Sequence, residues 1–196
     1  MRFIGFYDYT VLLTYLSLVS AIVGILQASK GNLLFAVLCI IFSGTCDMFD
    51  GIVARSKQGR SEDQKNFGIQ IDSLVDVIAF GVTPAMVFYF HGVKSVIGVV
   101  ILIFYVACGV IRLGFFNVLE TKRQANPDAP ACLDSFRGMP ITFSAIITPI
   151  VCAVAYLLPT GVSMILYHAA PLIMGFFFIL DMKIPKINIA ALFSKK

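Results

Sequence analysis

Asp47-Met48-Phe49-Asp50-Gly51-Ile52-Val53-Ala54-Arg55, followed by Gly68-Ile69-Gln70-Ile71-Asp72-Ser73-Leu74-Val75-Asp76, places four of the chain's eleven acidic residues at the ends of two apolar runs. Asp47 and Asp50 are spaced i,i+3 and Asp72 and Asp76 i,i+4, so each pair occupies one face of its own helix. In an antiparallel hairpin, residues equidistant from the tip lie at equal depth. Residues 50 and 72 are centred on residue 61, and residues 47 and 76 on 61.5. The four carboxylates are therefore expected to meet between the two helices.

Such a meeting is costly unless something offsets it. An aspartate at mid-helix in a bilayer costs ~2.5–3.5 kcal/mol on insertion scales, so four deep ones approach ~10–14 kcal/mol. A position near the interface lowers that figure and mutual repulsion raises it. Arg55 alone cannot neutralise four carboxylates, whereas one or two divalent cations can. All-oxygen ligation suits hard ions such as Mg²⁺ or Mn²⁺. The competing explanation, helix caps or separate pairing with loop Lys and Arg, serves one interfacial aspartate better than four at matching depths.

Outward from this segment the chain reads as membrane-embedded. Of 196 residues 59% are hydrophobic and 13% charged, with no tryptophan, against roughly 45–50% apolar in soluble domains. Apolar runs cover residues 10–28, 33–49, 67–90, 96–119, 139–158 and 162–180, each near the ~20 residues a spanning helix needs. Arg55, Lys57, Arg60 and Lys65 share one interruption, Lys122, Arg123 and Arg137 another, and Lys183, Lys186, Lys195 and Lys196 the tail; the alternate loops hold only Lys30 and Lys94. The positive-inside rule then puts both termini in the cytoplasm. The expectation is an all-α integral membrane protein of six transmembrane helices, residues 1–196 forming one domain. The first run lacks a basic n-region and a small-residue cleavage site, so it is expected to be a span rather than a removed signal.

The remaining features narrow the function classes. Five cysteines, Cys39, Cys46, Cys108, Cys132 and Cys152, form no CxxC pair and are expected as buried free thiols or, for Cys132, a loop thiol. The net charge of +4 needs only anionic lipid headgroups, and no nucleic-acid partner. His91 and His168 are expected near the outer side, away from the aspartates. Ser61-Glu62-Asp63-Gln64 has the form of a capping box, which starts the third helix before Phe67. Asn126-Pro127 and Pro130 favour turns in the second basic loop, over the cytoplasmic mouth.

Asp47-x-x-Asp50-Gly51-x-x-Ala54-Arg55, then Gly68-x-x-x-Asp72-x-x-x-Asp76, resembles the signature of the CDP-alcohol phosphotransferase family. The twelve residues between Arg55 and Gly68 exceed the family's usual spacer, so a longer hairpin tip is expected. Phe67–Leu74, Phe80-Gly81-Val82-Thr83-Pro84-Ala85, Cys108-Gly109-Val110-Ile111-Arg112-Leu113 with Phe116-Asn117-Val118, and Arg137-Gly138-Met139-Pro140 resemble the small bacterial phosphatidylserine synthases within that family. Met139 stands where that subfamily has Leu. The last two apolar runs add little to the likeness.

The resemblance implies transfer of a phosphatidyl group from CDP-diacylglycerol to the hydroxyl of L-serine, with release of CMP, in a cell-membrane homodimer whose site faces the cytoplasm. It makes Asp47, Asp50 and Asp72 metal ligands, with Asp76 both a contributor to a two-ion Mg²⁺ or Mn²⁺ site and the general base. Gly51 is expected to let the nucleotide approach the backbone, or else to serve close helix packing. Arg55, one turn on, can reach the diphosphate with its planar fork. Arg112, the one base inside an apolar run, is expected on the serine carboxylate or lipid phosphate, with Asn117, or in a structural pair with an aspartate. Arg137 contacts phosphate or snorkels at the membrane surface. The same signature serves glycerol 3-phosphate and inositol phosphate acceptors, and intramembrane carboxylates also mark divalent-cation transporters; both stay open at this level.

Overall fold

The computed structural model describes residues 5–6, 9–56, 59, 61–124, 135–181 and 183–185, with side chains at all of these except 10, 52–56, 123–124, 135–137 and 183–185. Among the described residues, seven α-helices follow a short 3₁₀ turn: α1 (Leu12–Ser29), α2 (Leu33–Ser56), α3 (Glu62–Asp76), α4 (Thr83–Phe90), α5 (Val96–Gln124), α6 (Ser144–Leu157) and α7 (Thr160–Ile179). A π-helical turn, Val77–Val82, joins α3 to α4 as one rod. Among the described residues, five units are long and apolar enough to cross a membrane: Leu12–Ser29, Leu33–Gly51, Glu62–Phe90, Val96–Lys122 and Thr160–Ile179. The chain is a multi-pass membrane protein. The expected span over residues 139–158 forms the shorter apolar helix Ile141–Leu157, which at 1.5 Å per residue is about 25 Å long.

The helices pack through small residues and hydroxyls, as they must where lipid competes equally for apolar side chains. α1 and α2 turn back on each other through Gly31, at φ +81°. Ser17 and Ser43 each donate to the other's backbone carbonyl, at 3.4 and 3.0 Å, and Ser20 donates to the Cys39 carbonyl at 2.9 Å. A Cβ on Gly24 would sit 3.0 Å from that of Cys39, one on Gly44 2.5 Å from that of Ala145 on α6, and one on Gly175 3.1 Å from the Tyr105 Cα on α5. The buried core between these helices centres on Ile40, Phe80, Val87, Phe88, Tyr105, Cys108 and Phe178. Cys39, Cys46, Cys108 and Cys152 are buried and free, and Cys132 lies outside the described residues.

Two features depart from the sequence reading. The third span is interrupted after Asp76 by the π turn, where a single helix was expected. Thr83-Pro84 explains part of it, because Pro84 has no N–H to give the Phe80 carbonyl four residues earlier. The second departure is a two-stranded antiparallel ribbon, β1 (Ser135–Arg137) with β2 (Lys183–Pro185), pairing Arg137 opposite Lys183. The ribbon runs into Gly138, whose φ of +68° is open to glycine; a Cβ there would lie 2.8 Å from the Leu180 carbonyl oxygen. Met139 N–H then donates to the Phe177 carbonyl at 3.1 Å. This join explains the glycine of Arg137-Gly138-Met139-Pro140 by close backbone approach. The expected turn at Asn126-Pro127 and Pro130 lies outside the described residues.

The capping box forms as the residues indicated. Ser61 Oγ accepts from the Gln64 N–H at 3.2 Å, and the Ser61 N–H donates to Gln64 Oε1 at 3.1 Å, with Glu62 and Asp63 in the first turn.

The Gly44–Ala145 approach makes a direct prediction. Gly44→Ala overpacks the α2–α6 crossing and destabilises the fold by about 1–3 kcal/mol. Adding Ala145→Gly recovers most of the loss, as read from thermal melting of the purified protein in detergent.

Candidate metal centre

The helical period sorts the residues of the site by face. On α2, Met48 and Phe49 are exposed while Asp50 is buried and Asp47 half-buried; on α3, Leu74 is exposed while Asp76 is buried and Asp72 half-buried. Apolar neighbours thus take the lipid side and the four carboxyls turn inward, each pair on its own face. Since α2 runs down to the hairpin tip and α3 runs back from it, the carboxyls meet in mirror order. Asp50 lies within hydrogen-bonding reach of Asp72, and Asp47 within reach of Asp76.

Asp47, Asp50 and Asp72 each offer an oxygen within 4.8 Å of the others, close enough for one ion to touch all three. Two unit charges 4 Å apart repel by about 4 kcal/mol at an effective dielectric of about 20, and here four carboxyls crowd together in a mostly apolar surround. A set of hard oxygen donors with no sulfur or imidazole among them fits a small divalent cation and fits softer metals poorly. By geometry and donor chemistry the cluster can hold a metal ion.

α1 adds a contact that the sequence reading missed. Thr14 Oγ donates to Asp50 Oδ2 at 3.3 Å. Equal-depth pairing alone would not have found it: Ser17 and Ser43 are centred on residue 30, which sets residue 46 opposite Thr14, and Asp50 lies one turn further along α2. Ser73, next to Asp72, is a second omission. Its hydroxyl donates to Asn117 Oδ1 on α5 at 2.8 Å, tying the aspartate helix to α5.

The other candidates separate. Arg112 is buried on a different face of α5 from Asn117, its guanidinium 4.5 Å from the Phe116 ring centroid. Its Nη1 would be 3.1 Å from a Cβ on Gly138, which puts it under the ribbon. Gly51 follows Asp50 on α2 and is half-buried. Arg55 belongs to the last turn of α2 and Arg137 to β1, and the side chains of both lie outside the described residues. His91 Nδ1 donates to the Val87 carbonyl at 2.9 Å, and His168 Nδ1 to the Met164 carbonyl at 2.8 Å. Both rings are held by their own helices, at the end of the bundle remote from the aspartates.

Comparison with known proteins agrees with this arrangement. Residues 9–181 match the family described as CDP-alcohol phosphatidyltransferase. Among curated relatives, the CDP-diacylglycerol–serine O-phosphatidyltransferase of Methanocaldococcus jannaschii is 30% identical over 172 residues, 88% of this chain and 72% of that protein. The archaetidylserine synthase of Methanothermobacter thermautotrophicus is 36% identical over 140 residues, 69% of this chain and 53% of the relative. The CDP-diacylglycerol–serine O-phosphatidyltransferase of Bacillus subtilis is 34% identical over 115 residues, 58% of this chain and 57% of the relative. The match thus spans only about half the length of the latter two. With all but the first eight and last fifteen residues inside the match, and with the aspartates of the signature gathered at one depth, the chain belongs to the CDP-alcohol phosphatidyltransferase family.

Proposed function

We propose that the protein is a phosphatidylserine synthase, moving the phosphatidyl group of CDP-diacylglycerol to the hydroxyl of L-serine and releasing CMP. The observation that carries this reading is the convergence of Asp47, Asp50 and Asp72 on one point between two antiparallel helices, with Asp76 against Asp47. The serine acceptor is favoured by the relatives, whose names share that alcohol across two archaea and a bacterium. A phosphorylated acceptor would call for additional bases near the cluster. Among the described side chains, Arg112 is the base buried in that half of the bundle, and it lies beneath the ribbon.

Phosphoryl transfer depends on positioning and charge neutralisation more than on unusual covalent chemistry. Two bound Mg²⁺ or Mn²⁺ ions would supply the Lewis acidity that neutralises the diphosphate and stabilises attacking and leaving oxygens. In this reading Asp47, Asp50 and Asp72 hold the ions. Asp76 contributes an oxygen and takes the proton of the serine hydroxyl as it attacks phosphorus. Thr14 orients the Asp50 carboxyl by its hydrogen bond, and Ser73 orients the Asn117 amide. Gly51 leaves room for the nucleotide at the backbone, and Arg55 reaches the diphosphate. Asn117, bonded to Ser73, meets the serine in this reading, while Arg112 and Arg137 serve a carboxylate or phosphate nearer the ribbon.

The basic segments at the hairpin tip, after α5 and in the tail support six spans with both termini and the site on the cytoplasmic side of the cell membrane. The protein works as a homodimer in this proposal, with membrane lipids as its surround.

Three outcomes test the proposal. Purified protein supplied with CDP-diacylglycerol releases CMP with L-serine but not with glycerol 3-phosphate or inositol phosphate; release with another acceptor alone would move the protein to a sibling specificity. Chelation by EDTA abolishes that release and added Mg²⁺ or Mn²⁺ restores it, whereas vesicle uptake of these cations without CMP release under any acceptor would instead indicate a transporter. Asp76→Asn inserts and folds normally, yet turnover drops about a hundredfold or more, the scale of a lost general base; full activity in that variant would remove Asp76 as the base.

A further inference from the structure

The π turn begins at the residue after Asp76 and occupies Val77–Val82. In an unbroken α-helix, at ~100° per residue, Asp76, Thr83 and Val87 would line one stripe. The π turn takes up one extra residue, so the α4 face is rotated by ~100° relative to the α3 face. That rotation lets two demands be met at once. Asp76 turns to Asp47 on α2, while Thr83 turns to α1, its hydroxyl 3.4 Å from the Ala21 carbonyl oxygen, and Val87 is fully buried.

Side-chain hydroxyls reach two backbone carbonyls of the wide turn. Thr83 N–H bonds the Ile78 carbonyl five residues back, and its hydroxyl donates to the same oxygen at 2.9 Å. The Phe80 carbonyl would take the N–H of residue 84 in α-helical register, and Pro84 has none. The Tyr105 hydroxyl on α5 donates to that carbonyl instead. A phenol has one hydrogen, so the Ser144 hydroxyl, 2.8 Å away, donates to Tyr105 in turn. Tyr105 is fully buried and reaches the turn from a helix of its own, with Phe178 at 5.4 Å between ring centroids behind it.

We propose that Tyr105 is a positioning residue for the metal centre: by capping the Phe80 carbonyl it holds the π turn that sets the rotation of Asp76 toward the other aspartates. The inference rests on the reading of the four aspartates as a metal site. Tyr105 touches neither ion nor substrate, and it acts through the helix register.

The test separates register from mere stability. In Tyr105→Phe the Phe80 carbonyl loses its donor. In the double variant Tyr105→Phe/Pro84→Ala, the N–H of residue 84 returns and can satisfy that carbonyl in ordinary α-helical register, which rotates Asp76 away. Mn²⁺ binding to the purified proteins, titrated by electron paramagnetic resonance, is read beside thermal melting. Tyr105→Phe is expected to melt earlier and to bind Mn²⁺ about tenfold more weakly or worse, the range for lost supporting hydrogen bonds around metal ligands. The double variant is expected to regain the melting temperature and leave the Mn²⁺ affinity low. Pro84→Ala alone, with Tyr105 in place, is expected to keep the affinity.

Affinity that recovers together with melting in the double variant would overturn the assignment and leave Tyr105 a packing residue. So would unchanged affinity in Tyr105→Phe, or a loss in Pro84→Ala alone as large as in the double variant. If Tyr105→Phe fails to fold, the double variant against Pro84→Ala carries the same comparison. Absence of Mn²⁺ binding by the unmodified protein would instead remove the metal reading itself, and the role of Tyr105 with it.

Discussion

Four carboxyl groups cannot sit together inside an apolar helical bundle unless their charge is offset, and the architecture at this end of the molecule follows from that constraint. It sets which faces of α2 and α3 look inward, leaving Met48, Phe49 and Leu74 exposed on the outside. It brings a third helix close enough for Thr14 to give Asp50 a hydrogen bond, and a fourth close enough for Asn117 to be fixed by Ser73. The polar groups around the cluster are thus drawn from α1, α3 and α5, and no single helix carries the site. In the proposed function a cation shared among the oxygens would turn this crowding of carboxyls into a point of attachment for an anionic substrate.

The rest of the bundle solves a different problem. Lipid tails are as apolar as leucine, so burying hydrocarbon between helices gives little net drive to associate. Close backbone approach supplies the dispersion contacts instead, at Gly24, Gly44 and Gly175, with serine hydroxyls bonded across the α1–α2 seam. These contacts hold α2 in place from both sides, against α1 through Ser17 and Ser20 and against α6 through Gly44. Asp47 and Asp50 therefore project from a helix whose position is fixed elsewhere, which is what a site requiring sub-ångström ligand placement needs.

What was legible in the residues, and what was not, divides along the same physical lines. Apolar run length and the i,i+3 and i,i+4 spacings are local properties, and they yield the helices and the inward faces of the aspartates. The mirror order Asp50–Asp72 and Asp47–Asp76 needs one further assumption, an antiparallel hairpin, and equal rise per residue in both arms does the rest. Thr14 was beyond that construction, because the first hairpin's seam sets residue 46 opposite it and the bond to Asp50 reaches one turn further along α2. The β1–β2 ribbon was beyond it too, because three-residue strands carry no readable period and pair segments separated by two helices. The π turn was only half visible: Thr83-Pro84 in an apolar run signals a disturbed helix, but which carbonyl is freed, and that Tyr105 from another helix meets it, are tertiary facts. Arg112 could be singled out as a costly intramembrane base, yet its direction, toward Gly138 and away from Asn117, depends on where the ribbon runs.

Depth is the last element of the design. The proposed reaction joins a lipid-anchored phosphate to a water-soluble alcohol, so its centre would have to lie where both can arrive, with acyl tails still in hydrocarbon and the small reactant entering from water. An aspartate cluster at mid-membrane would exclude the alcohol, and one on an aqueous loop would require the lipid to be lifted out, at ~0.8 kcal/mol per exposed methylene. Asp47 and Asp50 lie within the last three turns of α2, and Asp72 and Asp76 in the latter half of α3, some turns above its capped start at Ser61. That puts the cluster below the polar hairpin tip and still inside the apolar helices. Such a position costs less than mid-bilayer burial, and in the proposed function it would leave a diphosphate hydrated on one side. The proposed function would also account for a polar, basic hairpin tip beside outward-facing Met48, Phe49 and Leu74, only a residue or two from the carboxylates: the same turn of helix would meet lipid on one side and an anion on the other.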